Sequence, residues 1–160
     1  MNEQLSVRAA RAEDVPAITL LIREFAEFEK LIEWCDVTDA DLHAALFGAG
    51  NFVRALVALD GNRYAGYALY YPVFKSFRGE QSIFLEDLYV TPDLRGQGLG
   101  LVMLREVAHY ARENNFARMD WQALQWNEPA IDFYKRLGAE ADDSNLDFRL
   151  RGDAFLSLSE

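Results

Sequence analysis

The chain has 160 residues, 51% of them hydrophobic, and sets 26 Asp and Glu against 16 Lys and Arg for a net charge of −10. That balance excludes disordered and collagen-like chains and disfavours a general nucleic-acid binder, which needs clustered basic side chains to neutralise phosphate. It favours a small cationic partner, and the length predicts one domain over residues 1–160.

No apolar run approaches the ~18 residues of a membrane span, and Met1 to Glu13 lacks the apolar core of a signal peptide. Cys35 is the single cysteine, which rules out an intrachain disulfide and points to a reducing, cytoplasmic setting. Leu5 to Ala9 reads as a first strand. Val15, Ile18, Leu21, Ile22 and Phe25 recur at helical spacing, with Pro16 near the start, where its missing N–H costs least. Thr38 and Asp41 form a capping-box pattern ahead of a short helix through His43 to Leu46.

From Phe52 the period changes. Phe52 to Leu59 and Tyr64 to Tyr71 flank the turn Asp60-Gly61-Asn62-Arg63 and predict an antiparallel hairpin. Ser82 to Val90 is a third strand, ended by Thr91-Pro92-Asp93. Leu99, Val102, Met103, Val107 and Tyr110 mark a helix stopping near Asn114-Asn115. Arg118 to Leu124 reads as a strand, Asn127 to Leu137 as a helix ended by Gly138, and Leu146 to Arg151 as a final strand. The sum is a mixed α/β (α+β) sheet, mostly antiparallel, flanked by helices.

Arg95-Gly96-Gln97-Gly98-Leu99-Gly100 lies between a strand end and a helix start. Glycines at alternate positions let a backbone approach a ligand and adopt positive φ, and the amides of the next helical turn favour an anion such as a pyrophosphate. A tight connection alone would also account for the pattern. A Walker loop needs Gly-Lys-Ser/Thr, absent here, and the spacing is G-x-G-x-G rather than the dinucleotide G-x-G-x-x-G.

This loop resembles the R/Q-x-x-G-x-G/A acyl-CoA motif of the GNAT superfamily of N-acyltransferases. Phe84-Leu85-Glu86-Asp87-Leu88-Tyr89-Val90, Trp126-Asn127-Glu128-Pro129-Ala130-Ile131-Asp132-Phe133-Tyr134 and Ile22 to Glu29 resemble segments of the diamine (spermidine/spermine) acetyltransferases and their bacterial relatives. The resemblance implies a GNAT-like sheet with a splayed strand pair at the acyl-CoA site, acetyl-CoA as cosubstrate, no metal, and a homodimer. It implies cofactor contacts from Leu88, Tyr89 and Val90 to the pantetheine arm, from Arg95, Gly96, Gln97, Gly98, Leu99, Gly100 and Leu101 to the pyrophosphate, and from Asn127 and Arg136. Phe28, Glu29, Trp121 and Gln122 match positions lining the amine site. Asn127 is equally suited to a helix cap alone.

Acetyl transfer to an amine poses two proton problems. An amine of pKa ~10.4 is neutral in about one molecule in 2,500 at pH 7, so a proton must leave it, and the departing thiolate, of pKa ~8.5, must be protonated or stabilised. By the resemblance, Glu86 is the base, acting directly or through water, and Tyr134 the general acid. In a regular strand Glu86 and Asp87 point to opposite faces, so one of them needs a partner or a cavity. Glu86 could also serve only to attract the cation. From Glu13 to Asp41 there are nine acidic residues against Arg23 and Lys30, a field that draws in a polycation and is also what a solvated helix face looks like.

Lys75 is expected to put a cation near the amine channel, against spermidine in particular. Cys35, between Glu33 and Asp36, is disfavoured as a thiolate nucleophile. His43 and His109 show no metal spacing, and His109 shares a polar helix face with Arg105 and Arg112. Direct attack of a small cationic amine on the thioester in a ternary complex is the expectation. A thialysine or other amino-acid-type acceptor, and a non-catalytic acyl-CoA sensor, are the alternatives.

Overall fold

The computed structural model describes residues 4–144 and 147–158. They divide into two compact units, one up to residue 122 and one from residue 123. The first contains five strands, β1 (Leu5–Ala9), β2 (Arg54–Asp60), β3 (Arg63–Lys75), β4 (Glu80–Val90) and β5 (Met119–Trp121), side by side in that order. The first three pairings are antiparallel. β5 runs parallel to β4 and pairs with it only from Ile83 to Leu85. Beyond Leu85, β4 continues to Val90 with no ladder partner on that side among the described residues, so the two strands splay.

Helices cover both faces. α1 (Val15–Phe28) carries Pro16 in its first turn and buries the stripe Val15, Ile18 and Leu21. α2 (Asp39–Phe47) starts on the expected box: the Asp41 amide donates to Thr38 Oγ1 at 3.2 Å and the Thr38 amide to Asp41 Oδ2 at 3.0 Å. Both pack against Ala55, Val57, Tyr67, Leu69 and Tyr89, and each large side chain so enclosed contributes roughly 1.5–3 kcal/mol. α3 (Leu99–Glu113) lies against β3 and β4 and buries Leu99, Met103, Leu104 and Val107. Its Tyr110 ring meets Tyr70 of β3 edge-on at 5.3 Å.

One irregularity decides where the carboxylates go. Leu69 of β3 opposes Asp87, yet the next residue, Tyr70, opposes Leu85, so Glu86 is an extra residue bulged out of β4. In a regular strand Leu85 and Asp87 would share a face. With the bulge, Leu85 sits opposite Tyr70 on the α3 side, whereas Asp87 sits opposite Leu69 on the α1 side. The expectation of alternating faces for Glu86 and Asp87 therefore fails at this point.

A second carboxylate is wholly enclosed. Asp14, fully buried, accepts from Arg8 Nη1 at 2.6 Å and Nη2 at 2.8 Å, from the Arg11 amide at 2.7 Å and from the Tyr64 hydroxyl at 2.6 Å. The Arg8 hydrogen bonds are the largest influence holding it well below the usual carboxylate range, against the opposing effect of burial. This cluster ties β1, the start of α1 and β3 together.

The second unit holds α4 (Glu128–Arg136) and α5 (Asp153–Leu158). α4 ends ahead of Gly138 (φ +88°), where the expected stop falls. Two strand expectations are corrected. The element read as Arg118 to Leu124 is only Met119–Trp121. Of the final strand read at Leu146 to Arg151, Leu146 lies outside the described residues, and residues 147–151 are irregular with Phe148 and Leu150 exposed.

Candidate active site

The glycine loop leads from a 3-10 turn at Pro92–Leu94 into α3. Gly96 has φ +77° and Gly98 φ +89°, and a Cβ at either would meet nothing within 4 Å. Backbone twist, not lack of room, is what calls for glycine there. Gly98 caps α3 without a side chain. The first intrahelical bond comes from the Val102 amide to the Gly98 carbonyl at 3.0 Å, which leaves the amides of Leu99, Gly100 and Leu101 at the open positive end of the helix. Gly100, in regular helix with ordinary contact to Val90, has no such conformational need.

Arg95 supplies a cation beside this turn. Its Nε donates to the Val90 carbonyl at 2.9 Å, and its guanidinium lies 4.4 Å from the Phe28 ring centre and 5.6 Å from that of Tyr89. It has no carboxylate partner among the described residues. The unpaired edge of β4 from Leu88 to Val90 ends at the same place. Close approach of β3 behind it requires Gly66, where a Cβ would lie 2.4 Å from the Tyr89 carbonyl oxygen. An open strand edge, free helical amides and an arginine suit the amide-rich arm and diphosphate of a coenzyme A thioester.

On the α1 side of the sheet is a cleft of about 360 Å³. Its walls come from α1 (Ile22, Phe25, Ala26, Glu29), the segment after it (Leu31, Trp34, Cys35, Asp36, Val37) and the sheet (Tyr67, Glu86, Asp87). Among the described residues, this lining presents four carboxylates and no lysine or arginine. The Tyr67 hydroxyl donates to Asp87 Oδ2 at 2.9 Å, and the Tyr71 hydroxyl donates to Glu86 Oε2 at 2.7 Å. Burial pushes the Asp87 carboxyl up to about 6, the Tyr67 bond pulls the other way, and the charges of Glu86 and Glu29 push it further up. Burial likewise raises Glu29. The Tyr67 phenol, enclosed beside Asp87, is held far above its ordinary range and stays a donor.

Glu29 and Glu86 thus line one cleft. Phe28 stands next to Glu29 under Arg95 and does not form part of the wall. Trp121, at the end of β5 opposite Leu85, and Gln122 after it lie outside that lining. Lys75 is not at the cleft either: it sits at the end of β3 and pairs with Asp120 at 3.2 Å. Asp87, not among the expected site residues, also lines this cleft; its place beside Glu86 in a hydrophobic strand signals a need for a partner or a cavity, and the bulge sets its direction.

In the second unit, Asn127 caps α4, its side chain accepting from the Ala130 amide at 3.4 Å. Tyr134 is half-buried in α4 with its ring 5.2 Å from Phe133, and Arg136 is exposed in the last turn.

The profile of the Acetyltransferase (GNAT) family matches residues 17–139. The chain belongs to this family. The match crosses the division at residue 122, and the five-stranded splayed sheet is the GNAT fold. Among relatives, the thialysine N-epsilon-acetyltransferase of Mus musculus is 35% identical, with 96% of each chain covered. The L-ornithine N5-acetyltransferase of Arabidopsis thaliana is 26% identical over 96% of this chain and 87% of the other. A soil-metagenome aminoglycoside acetyltransferase crystallised with sisomicin has the same fold, with a TM-score of 0.79 at 21% identity over 94% of this chain and 99% of its own. This GNAT protein is an acyltransferase that moves acetyl from acetyl-CoA to an amine. No helix among the described residues is long and apolar enough to cross a membrane, and none of them form a group of three or more metal-ligating side chains.

Proposed function

We propose that this GNAT enzyme acetylates a primary amine of a small cationic acceptor of the diamine or polyamine kind, by direct attack on acetyl-CoA within a ternary complex. The observation that carries this reading is the cleft with Glu29, Asp36, Glu86 and Asp87 in its walls and no basic side chain among its described lining residues. Such a lining attracts an acceptor with positive charge at more than one point and repels one with a carboxylate close to the reacting nitrogen. Lys75 is engaged by Asp120 and is not in the cleft lining, so its charge does not stand against spermidine there.

Within this proposal the amides of residues 96–101 and Arg95 hold the pyrophosphate, and the edge Leu88 to Val90 holds the pantetheine arm. Asn127 and Arg136 contribute from α4. Glu86, with Glu29 and Phe28, receives the acceptor's cation, and Glu86 acts as base or as charge. Trp121 and Gln122 complete the acceptor side, and Tyr134 protonates the departing sulfur; these roles rest on the resemblance of motifs. So does a homodimer, for which exposed Phe74 and Phe77 offer apolar surface to bury. The single cysteine supports a reducing, cytoplasmic setting.

A thialysine-type acceptor is the second reading, favoured by the relative at 35% identity. Thiol release from acetyl-CoA across a panel of spermidine, putrescine, thialysine and ornithine separates the two. Higher kcat/KM for putrescine and spermidine than for either amino acid is the expected result; a preference for thialysine or ornithine overturns it.

A further inference from the structure

Two carboxylates adjacent in sequence, Glu86 and Asp87, line the cleft in unlike settings. Glu86 is the bulged residue of β4; it is exposed, and its Oε2 accepts from Tyr71. Asp87 follows the bulge, faces the α1 side and accepts one hydrogen bond, at Oδ2 from the fully buried Tyr67. No other hydrogen bond reaches its carboxyl group among the described residues. Tyr67 is itself wedged, its ring 6.2 Å from that of Tyr89, which in turn lies 5.3 Å from Phe25 of α1. The hydroxyl therefore has a fixed direction, and Asp87 is oriented by it.

We propose that Asp87 takes the proton from the acceptor's ammonium, with Tyr67 as its positioning residue and Glu86 serving only the acceptor's charge. This deepens the amine-acetylation reading and rests on it. In the step, the ammonium gives one proton to the Asp87 carboxylate, and the freed lone pair forms the C–N bond at the thioester carbonyl carbon as the C–S bond breaks. The sulfur takes a proton from its donor, Tyr134 in the proposal. That donor regains one from the nitrogen, which keeps its third hydrogen in the amide, and Asp87 returns its own proton to solvent.

The chemistry favours Asp87 because a base works better the closer its pKa comes to that of the group it deprotonates. Glu86 on its own strand and Glu29 from α1 act on Asp87 with negative charge. Asp36 and the Cys35 thiol, from the segment after α1, line the same cleft, and among the described residues of that lining there is no lysine or arginine and Tyr67 from β3 is the one donor to Asp87. Burial and the acidic neighbours raise the group to about 6, so it is ionised at pH 7 and yet a stronger base than an ordinary carboxylate.

The test is the pH dependence of kcat/KM for spermidine, with thialysine as a second acceptor, by thiol release at saturating acetyl-CoA. The wild type is expected to lose activity as pH falls through about 6. Asp87→Asn is expected to lower kcat roughly a hundredfold or more, with acetyl-CoA binding kept, and to abolish that acid limb. Glu86→Gln should raise KM and keep the limb. Tyr67→Phe, which removes the one donor to Asp87 among the described residues, should move the limb to higher pH with kcat recovered at alkaline pH, which a merely structural loss would not do. Asp87→Asn retaining kcat within about threefold, or the limb vanishing in Glu86→Gln or staying in place in Tyr67→Phe, overturns the inference alone. Failure of the wild type to turn over either amine overturns the acceptor reading and the inference together.

Discussion

Asp14 and Asp87 are two carboxylates enclosed by the same sheet, and they have opposite chemistry. Asp14 receives four hydrogen bonds, two of them from the guanidinium of Arg8, and is held below the usual range. Asp87 receives one among the described residues, shares its cleft with three further acids, and is pushed up to about 6. Burial acts in the same sense on both; donor supply decides the outcome. A buried carboxylate with a full set of donors is a structural joint, whereas one left short of them in an open cleft is available to a cation or a proton.

The largest test of this contrast is a pair of substitutions. Asp14→Ala leaves Arg8 and the Tyr64 hydroxyl without their partner and is expected to cost about 3 kcal/mol, a fall in Tm of roughly 10 °C for a chain of this size. Asp87→Asn should keep or raise Tm at pH 7 while activity collapses. Thermal melts of the two variants beside acetyl-transfer assays read both halves, and equal destabilisation by the two would break the contrast.

A smaller effect is the pH profile of stability. Asp14, depressed in the fold, contributes stability that is fully present above its ordinary value of ~3.9 and lost as pH falls below it. Asp87, raised in the fold, costs stability while ionised, fully so above about 6, and that cost fades as pH drops from 6 towards its ordinary value. Denaturant melts from pH 3 to 8 should place maximal stability between those limits, and Asp87→Asn should flatten the alkaline side of the maximum. A wild-type profile that keeps rising from pH 5 to 8 would contradict the assignment.

At the bottom of the scale is Arg63, whose exposed pair with Asp93 at 2.7 Å resembles the Arg8–Asp14 contact in distance alone. Both of its side chains stay in water, so Arg63→Gln should leave Tm unchanged within error. A drop comparable to that of Asp14→Ala would show that enclosure is not what separates them.

Much of the molecule is legible in its sequence. The stripe from Val15 to Phe25, the Thr38–Asp41 box, the turn at Asp60 to Arg63 and the positive-φ Gly96 and Gly98 each encode a local rule, and the local structure follows it. What stayed hidden depends on partners remote in sequence. The bulge at Glu86 arises from register against β3, and Ile83, Leu85, Asp87 and Tyr89 have the same parity whether or not it exists. Asp14 is polar in sequence, and Arg8, the Arg11 amide and Tyr64, fifty residues further on, together make it buriable. Leu146, Phe148 and Leu150 alternate as a strand should, yet alternation supplies no neighbouring edge to pair with, and residues 147–151 are irregular.

The cleft that receives the acceptor is best interrogated at Asp87 itself. Carbon-13 NMR of the aspartate carboxyls, titrated from pH 3 to 9 with and without spermidine, should show one aspartate with a midpoint near 6 in the free protein, lost in Asp87→Asn and moved to lower pH when the polyamine is bound. A midpoint near 4 for Asp87, or one near 6 that spermidine leaves untouched, would contradict a cation-receiving carboxylate at this position.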